Sequence, residues 1–390
     1  MPKNKGKKFL FRGQKRGQMS FPLTSYRSCA IFHILNMLDG FMWPKMLQKH
    51  SIQAFFLVTI GLCLFNSCAN QHTFAKEEKL ADFFSKKEVT IAVTDSGLGG
   101  LSILGDAVER MKKENVFAKV HFVFFNALFS NEGGYNSLNT RAQKIQMFDS
   151  ALQSIDAKYS PDLILIGCNT LSVLYKDTSF ARNSVIPVVG IVDAGVDLIA
   201  QNIKTHPQSK VILFGTQTTV SENTYTQELE KKGFLPERII SQACPELVSY
   251  IEKGYDSDET EMLILAYVDE ALQKLGKPGP ELYVSFNCTH YGYSLDLWKK
   301  AFDSLGVTPQ AYLNPNFRMN DFLFNNPRKG HSKKTDISVH VVSMVEIDKN
   351  RIQSIGRWLE ALSPQTADAL KAYKQDSDLF DWKKYINGEE

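Results

Sequence analysis

Two short stretches hold the residues best suited to chemistry, Ile166-Gly167-Cys168-Asn169-Thr170 and Phe286-Asn287-Cys288-Thr289-His290-Tyr291. Each cysteine follows an apolar run of strand type, Leu163-Ile164-Leu165-Ile166 in one and Leu282-Tyr283-Val284-Ser285-Phe286 in the other. Polar residues and a segment of helical pattern come next in both cases. Each thiol is therefore expected at the carboxyl end of a strand, where open α/β sheets place their ligand crevices. A free thiol, with a pKa of about 8.5, is mostly protonated at neutral pH. Neighbouring cations or helix N-termini lower that value and make the sulfur a base or nucleophile. Two similar thiol sites, one in each half of the chain, suggest a pocket shared between two lobes with a thiol on either side.

The elements that would position these thiols are readable at coarse grain. Strands are expected over residues 89–94, 120–125, 163–166, 185–190, 211–215, 282–286 and 337–342, the fourth of them crossing to the other lobe. Helices are expected over 101–111, 138–158, 245–253, 258–275 and 294–302, with two more and a polar tail toward the C-terminus. Strands alternating with helices indicate parallel sheets and the α/β class. The first strand runs into Asp95-Ser96-Gly97-Leu98-Gly99-Gly100. A dinucleotide fingerprint is disfavoured there, since its third glycine would fall at Ser102 and Asp95 would repel a pyrophosphate. The loop is better suited to bringing backbone N–H groups to a small anion, with Asp95 aimed into the same cleft.

Bulk properties narrow the classes. The chain has 390 residues, enough for two domains of ordinary size. Charged residues make up 22% and hydrophobic ones 43%, the composition of a soluble globular protein. The net charge of +3 is small, and no basic patch with interleaved aromatics occurs in the body of the chain, so nucleic acid is not an expected partner. The six cysteines show no CxxC or Cys/His metal spacing, which points to neither a disulfide scaffold nor a metal centre. No apolar run reaches the length of about 18 residues that a multi-pass membrane protein would need.

The first stretch reads differently. Residues 3–16 are a basic, Gly-containing tract. Met46-Leu47-Gln48-Lys49-His50 precedes an apolar run over 54–65, and Ser67-Cys68 follows. A short basic region, about a dozen apolar residues and a small residue describe a secretory signal. The cysteine directly after that small residue resembles a bacterial lipobox, with Cys68 as the lipidated mature N-terminus and Met46 as the start. Phe65 and Asn66 depart from the usual lipobox, and an uncleaved anchor helix is the plainer alternative. Residues 69–87 read as a tether.

Taken together, Asp95-Ser96-Gly97-Leu98-Gly99-Gly100-Leu101, Cys168-Asn169-Thr170, Gly215-Thr216 with Thr219-Val220-Ser221 and Tyr225, residues 247–254, and Cys288-Thr289-His290-Tyr291 resemble the aspartate/glutamate racemase superfamily. The order and spacing are most similar to its glutamate racemase branch. The resemblance implies two pseudo-twofold-related α/β lobes with the active site in the cleft between them. Its boundaries are residues 1–87 for the N-terminal extension, 88–186 plus 300–390 for the first lobe, and 187–299 for the second. It implies a cofactor-independent amino-acid racemase interconverting L- and D-glutamate or a related amino acid, with no metal, pyridoxal phosphate or nicotinamide. Cys168 and Cys288 would be the two bases, Asp95 assisting the first and His290 and Glu252 the second. Ser96, Asn169, Thr170, Thr216, Thr219 and Thr289 would hold the α-carboxylate and ammonium.

The chemistry asks for such a pair. An amino acid's α-proton is weakly acidic because the carbanion lies beside a carboxylate. Inverting the centre means removing the proton from one face and delivering another to the opposite face. Two thiols on opposite walls do this without moving the substrate, one entering as thiolate and the other as thiol. Singly, the pieces have plainer readings: a packing cysteine, as assigned to Cys244, a structural His290, a solvated Glu252, and helix caps at Asp95-Ser96 and over 216–221. Their co-occurrence favours the functional reading.

Two departures bear on the substrate. Where the family carries Pro-Tyr-Gly, this chain reads Asn131-Glu132-Gly133 with Tyr135 displaced, and Tyr291 is followed by Gly292 rather than proline. An inward Glu132 would disfavour an acidic substrate side chain and suit a polar or cationic one. The signal implies a lipoprotein of the cell envelope or periplasm, whereas glutamate racemases serve cytoplasmic peptidoglycan synthesis; without a working signal the location would be cytoplasmic. The expected partner is a small-molecule amino acid, with membrane contact only through the N-terminal segment and a homodimer left open. The alternatives are an exported two-lobed solute-binding lipoprotein and a superfamily decarboxylase or isomerase.

Overall fold

The computed structural model describes residues 78–132, 134–276, 281–325 and 332–386, all within one unit of the chain, Thr73–Glu390. The proposed signal and Cys68 lie outside the described residues.

Alternating β-branched and small residues make the first strand. β1 (Glu88–Asp95) leads through the glycine loop into α1 (Leu101–Glu114), followed by β2 (Lys119–Asn126), α2 (Arg141–Tyr159), β3 (Leu163–Ile166), α3 (Asn169–Tyr175), α4 (Ser179–Asn183), β4 (Val188–Gly190) and α5 (Ile191–Ile203). A second series follows: β5 (Lys210–Gly215), α6 (Gln217–Ser221), α7 (Thr224–Lys231), β6 (Ile239–Ala243), α8 (Leu247–Lys253), α9 (Asp258–Leu275), β7 (Leu282–Asn287), α10 (Leu295–Ser304) and β8 (Ala311–Leu313). The chain then returns through α11 (Asp321–Phe324), β9 (Asp336–Ser343), α12 (Lys349–Leu362), α13 (Pro364–Lys371), β10 (Lys374–Gln375) and α14 (Lys383–Ile386).

The strands form two sheets, ordered β10-β9-β2-β1-β3-β4 and β6-β5-β7-β8. Every pairing in both is parallel. The order 2-1-3-4 in the first sheet thus recurs as 6-5-7-8 in the second, each with a cysteine just beyond its third strand. The expected α/β class with parallel sheets is what forms. Parallel strands buried on both faces need helices on both. Ile91 and Val93 face Leu101, Leu104 and Val108 of α1, while Ala92, between them, faces Phe148 and Leu152 of α2. In the second sheet Phe214 and Phe286 pack on Trp298 of α10, with ring centroids 4.6 and 5.2 Å away.

Strand pairing corrects both expected boundaries. β4, read as crossing to the second lobe, pairs with β3 and stays in the first sheet. β8, placed in the returning segment, pairs with β7, so the second sheet extends to Leu313. β6, β8 and β10 escaped the sequence reading because each is short and carries little alternation. The expected tether is also corrected at its end. Phe83 and Phe84 are buried, Phe83 edge-on to Phe117 and Phe84 stacked parallel to it. The helix expected from 138 starts at Arg141, where Thr140 and Gln143 form a reciprocal capping box.

Candidate active site

Because all strands of a parallel sheet point one way, their carboxyl ends share an edge. Thr94 of β1 pairs with Ile166, so Asp95 and Cys168 leave the first sheet side by side. Gly215 pairs with Asn287, which brings Thr216 and Cys288 to the corresponding edge of the second. Cys168 and Cys288, each 4% exposed, line a single cavity of about 670 Å³. The two thiols read from sequence thus share one chamber.

Around the first thiol, Ser96 Oγ lies 3.2 Å from Cys168 Sγ. Burial pushes the Cys168 pKa well up and the neighbouring Asp95 charge pushes it further, against the Ser96 hydroxyl and the Ser96 and Leu171 amides. Cys168 is therefore held as a thiol. Asp95 is itself buried, which raises its pKa against the opposing pull of His290, Cys168, Thr289 and the Gly100 amide. Its Oδ2 accepts from Gly100 N at 2.5 Å and from Thr289 Oγ1 at 2.8 Å.

The second thiol has a cationic partner. His290 Nδ1 is 3.7 Å from Cys288 Sγ, and Nε2 is 2.8 Å from Glu252 Oε1. Burial lowers the His290 pKa, but Cys288 and Glu252 outweigh it and leave it well above the usual histidine value. Glu252, buried rather than solvated, would be raised by desolvation. His290, Arg351 and the Leu98 amide reverse that and hold its pKa low. Leu98 N donates to Glu252 Oε1 at 2.8 Å. An imidazolium beside one sulfur and a carboxylate beside the other make the walls chemically unequal.

Hydroxyls line the floor. Thr170 Oγ1 and Thr216 Oγ1 are 2.8 Å apart, and Thr216 Oγ1 lies 3.0 Å from Thr219 Oγ1. Ser96, Asn169, Thr170, Thr216 and Thr289 line the cavity. Thr219 does not reach it: as a residue of α6 capped by Thr216, it buttresses from behind. Asn169 Oδ1 accepts from Tyr225 at 2.5 Å, which fixes its orientation while Nδ2 has no partner among the described residues.

Glu132 departs from expectation. It is exposed and absent from the cavity wall, because its neighbour Asn131 is pinned to the returning segment. Asn131 Oδ1 accepts from Arg351 Nη1 at 2.9 Å, and its Nδ2 donates to Glu346 O at 3.3 Å. Tyr135 lines the cavity instead, fully buried, its hydroxyl unpartnered among the described residues. Sequence reasoning missed Arg351, a wall residue that comes from α12, about 100 positions beyond Glu252. Its only local signal is Asp348, which caps α12. Cys244, assigned to packing, is buried and also borders the cavity.

The chain matches the Asp/Glu/Hydantoin racemase family model over residues 111–277. It is 30% identical to a glutamate racemase of Chlorobaculum tepidum over 203 residues, spanning 52% of this chain and 67% of that one. Against a glutamate racemase of Persephonella marina it is 27% identical over 220 residues, covering 56% and 77%. In fold it resembles the glutamate racemase of Francisella tularensis solved with D-glutamate, with a TM-score of 0.54, 22% identity and coverage of 70% and 95%. The RacE1 glutamate racemase of Bacillus anthracis gives a TM-score of 0.54 at 20% identity, with coverage of 71% and 96%.

Proposed function

Because the chain belongs to the Asp/Glu/hydantoin racemase family and is an isomerase of the glutamate racemase type, we propose that it inverts the α-carbon of an amino acid by a two-thiol proton transfer, with glutamate as substrate. In one direction Cys288, as thiolate beside the His290 imidazolium, takes the α-proton. Cys168, held as thiol, delivers its own proton to the opposite face. The sulfurs exchange states, and the reverse reaction starts from the other thiolate. Turnover near 10 per second would require a barrier of roughly 16 kcal/mol. Fixed donors around the developing charge are the largest expected contribution to reaching it.

The observation that carries this reading is the pair of cysteines on one cavity, each with its own acid or base partner. Glutamate is supported by the relatives above and by the outward position of Glu132, which keeps that carboxylate off the cavity wall. Arg351 and Lys253 also border the cavity.

The test is incubation of purified protein under reductant with L-glutamate and a panel of other L-amino acids in D₂O. Loss of the α-proton signal is followed by NMR and stereochemistry by chiral chromatography. Exchange with inversion of glutamate is expected, and Cys168→Ser or Cys288→Ser should lower it by at least about 100-fold. No exchange with any amino acid, or cysteine variants that retain turnover, would overturn the proposal. The N-terminal segment is proposed to direct export with lipidation at Cys68; fatty-acid labelling abolished by Cys68→Ala checks it.

A further inference from the structure

Arg351 borders the cavity yet takes no part in the proton transfer just described. It stands 9% exposed between three partners. Its Nε lies 3.6 Å from Glu252 Oε2 and 3.2 Å from Asp348 Oδ2, and Nη1 donates to Asn131 Oδ1 at 2.9 Å. The first contact reaches the carboxylate behind His290. The last reaches the loop that carries Tyr135 into the chamber.

We propose that Arg351 is a positioning residue for the second thiol, holding Glu252 ionised and aligned on His290 while tying that pair to the Asn131 loop. The proposal rests on Cys288 acting as one of two bases. A buried carboxylate without compensating charge takes up a proton. Glu252 faces the Leu98 amide, His290 and Arg351, and each favours the anion. Asp348 competes for Arg351 from the opposite side. Cys288 and Asp95 act on His290 from the two thiol loops. Tyr293, whose ring centroid is 6.2 Å from that of His290, is committed to Leu98 O and Gly99 O at 2.9 and 3.1 Å. On α8 itself, Lys253 is exposed. Arg351 is thus the one guanidinium in contact with Glu252 among the described residues. Glu252 anionic keeps His290 protonated beside the Cys288 sulfur.

The experiment is the pH dependence of kcat/KM in variants of the full chain. Arg351→Met should move the acid limb upward by about one pH unit, since Glu252 protonates more readily. Arg351→Lys, which keeps the charge but not the guanidinium contact to Asn131, should return the limb most of the way. Asp348→Asn retains a capping side chain and frees Arg351 toward Glu252, so the limb should move downward. That opposite shift provides a check even where Arg351→Met folds poorly. A limb unmoved in both Arg351→Met and Asp348→Asn, with only a uniform loss of rate or melting temperature, would overturn the proposal. Absence of α-proton exchange in the unmodified protein would instead defeat the racemase reading beneath it.

Discussion

The Thr289 hydroxyl donates to Asp95 Oδ2 across the cleft at 2.8 Å, joining the end of β1 to the loop of the second thiol. The residue behind one sulfur is therefore held by the residue next to the other. Thr289→Val should leave a buried carboxylate oxygen short of a donor and cost about 1–3 kcal/mol. Thr289→Ser should keep most of that stability. Urea melts and kcat/KM on the three proteins check it, with the valine variant expected to lose activity at least about tenfold.

Asp95 has a raised pKa, so its contribution to stability is full below its unfolded value near 3.8 and is lost as pH rises through the folded value. The ionised carboxylate is thus the form that burial penalises. Asp95→Asn should therefore melt at or above the parent temperature at pH 7 while losing most turnover. Calorimetry from pH 4 to 8 tests this, and a lower melting temperature at neutral pH would contradict it.

His290 and Glu252 give slopes opposite in sign to one another. His290, raised above its usual 6.5, supplies stability that is full below that value and declines as pH rises through the folded pKa. Glu252, lowered below its usual 4.5, supplies stability present above that value and lost as pH falls. His290→Gln should flatten the alkaline decline of the melting temperature, and Glu252→Gln the acid one. Equal slopes in parent and variants would show that other groups govern both limbs.

The glycine loop lies against the second thiol's partners. A β-carbon at Gly99 would overlap the Thr289 hydroxyl and come 2.6 Å from His290 Nδ1 and 2.8 Å from its backbone nitrogen, so the loop after Cys288 would have to shift. Gly99→Ala should cost about 1–3 kcal/mol by overpacking and lower kcat/KM by at least about 100-fold through displacement of His290. Gly233→Ala, with open space around the added carbon but a φ of +89°, should affect stability alone.

Glu132 faces solvent, so Glu132→Gln should change stability by less than about 0.5 kcal/mol and leave the choice between glutamate and glutamine unaltered. A change in that choice, read from competing exchange rates, would place the carboxylate back in the chamber.

How much of this was legible in the sequence depends on distance along the chain. The two thiols, Asp95 and the strands that carry them are spelled out by local pattern, since an apolar run ending in a polar loop is a short-range signal. Asp258–Leu275, capped by Ser257, is equally local and lies where its periodicity says. β6 and β8, only five and three residues long, owe their existence to neighbours already in place and carry no local mark. Glu252 reads as surface by itself and is buried only because His290, Arg351 and the Leu98 amide converge on it. Arg351 and the outward turn of Glu132 depend on contacts between the Asn131 loop and the returning segment, which no window of sequence contains.

The pairing of β9 with β2 over eight residues, Asp336–Ser343 against Lys119–Asn126, has a consequence for how the molecule is made. On a ribosome, β2 emerges some two hundred residues before the strand that will cover it, and an uncovered parallel edge invites wrong partners. The second sheet, built from one uninterrupted stretch, has its neighbours sooner. Nascent chains halted before residue 336 should thus have a completed second sheet and an unfinished first one, open to chaperone capture. Arg351 arrives after both, so the chamber is sealed only once α12 has been made.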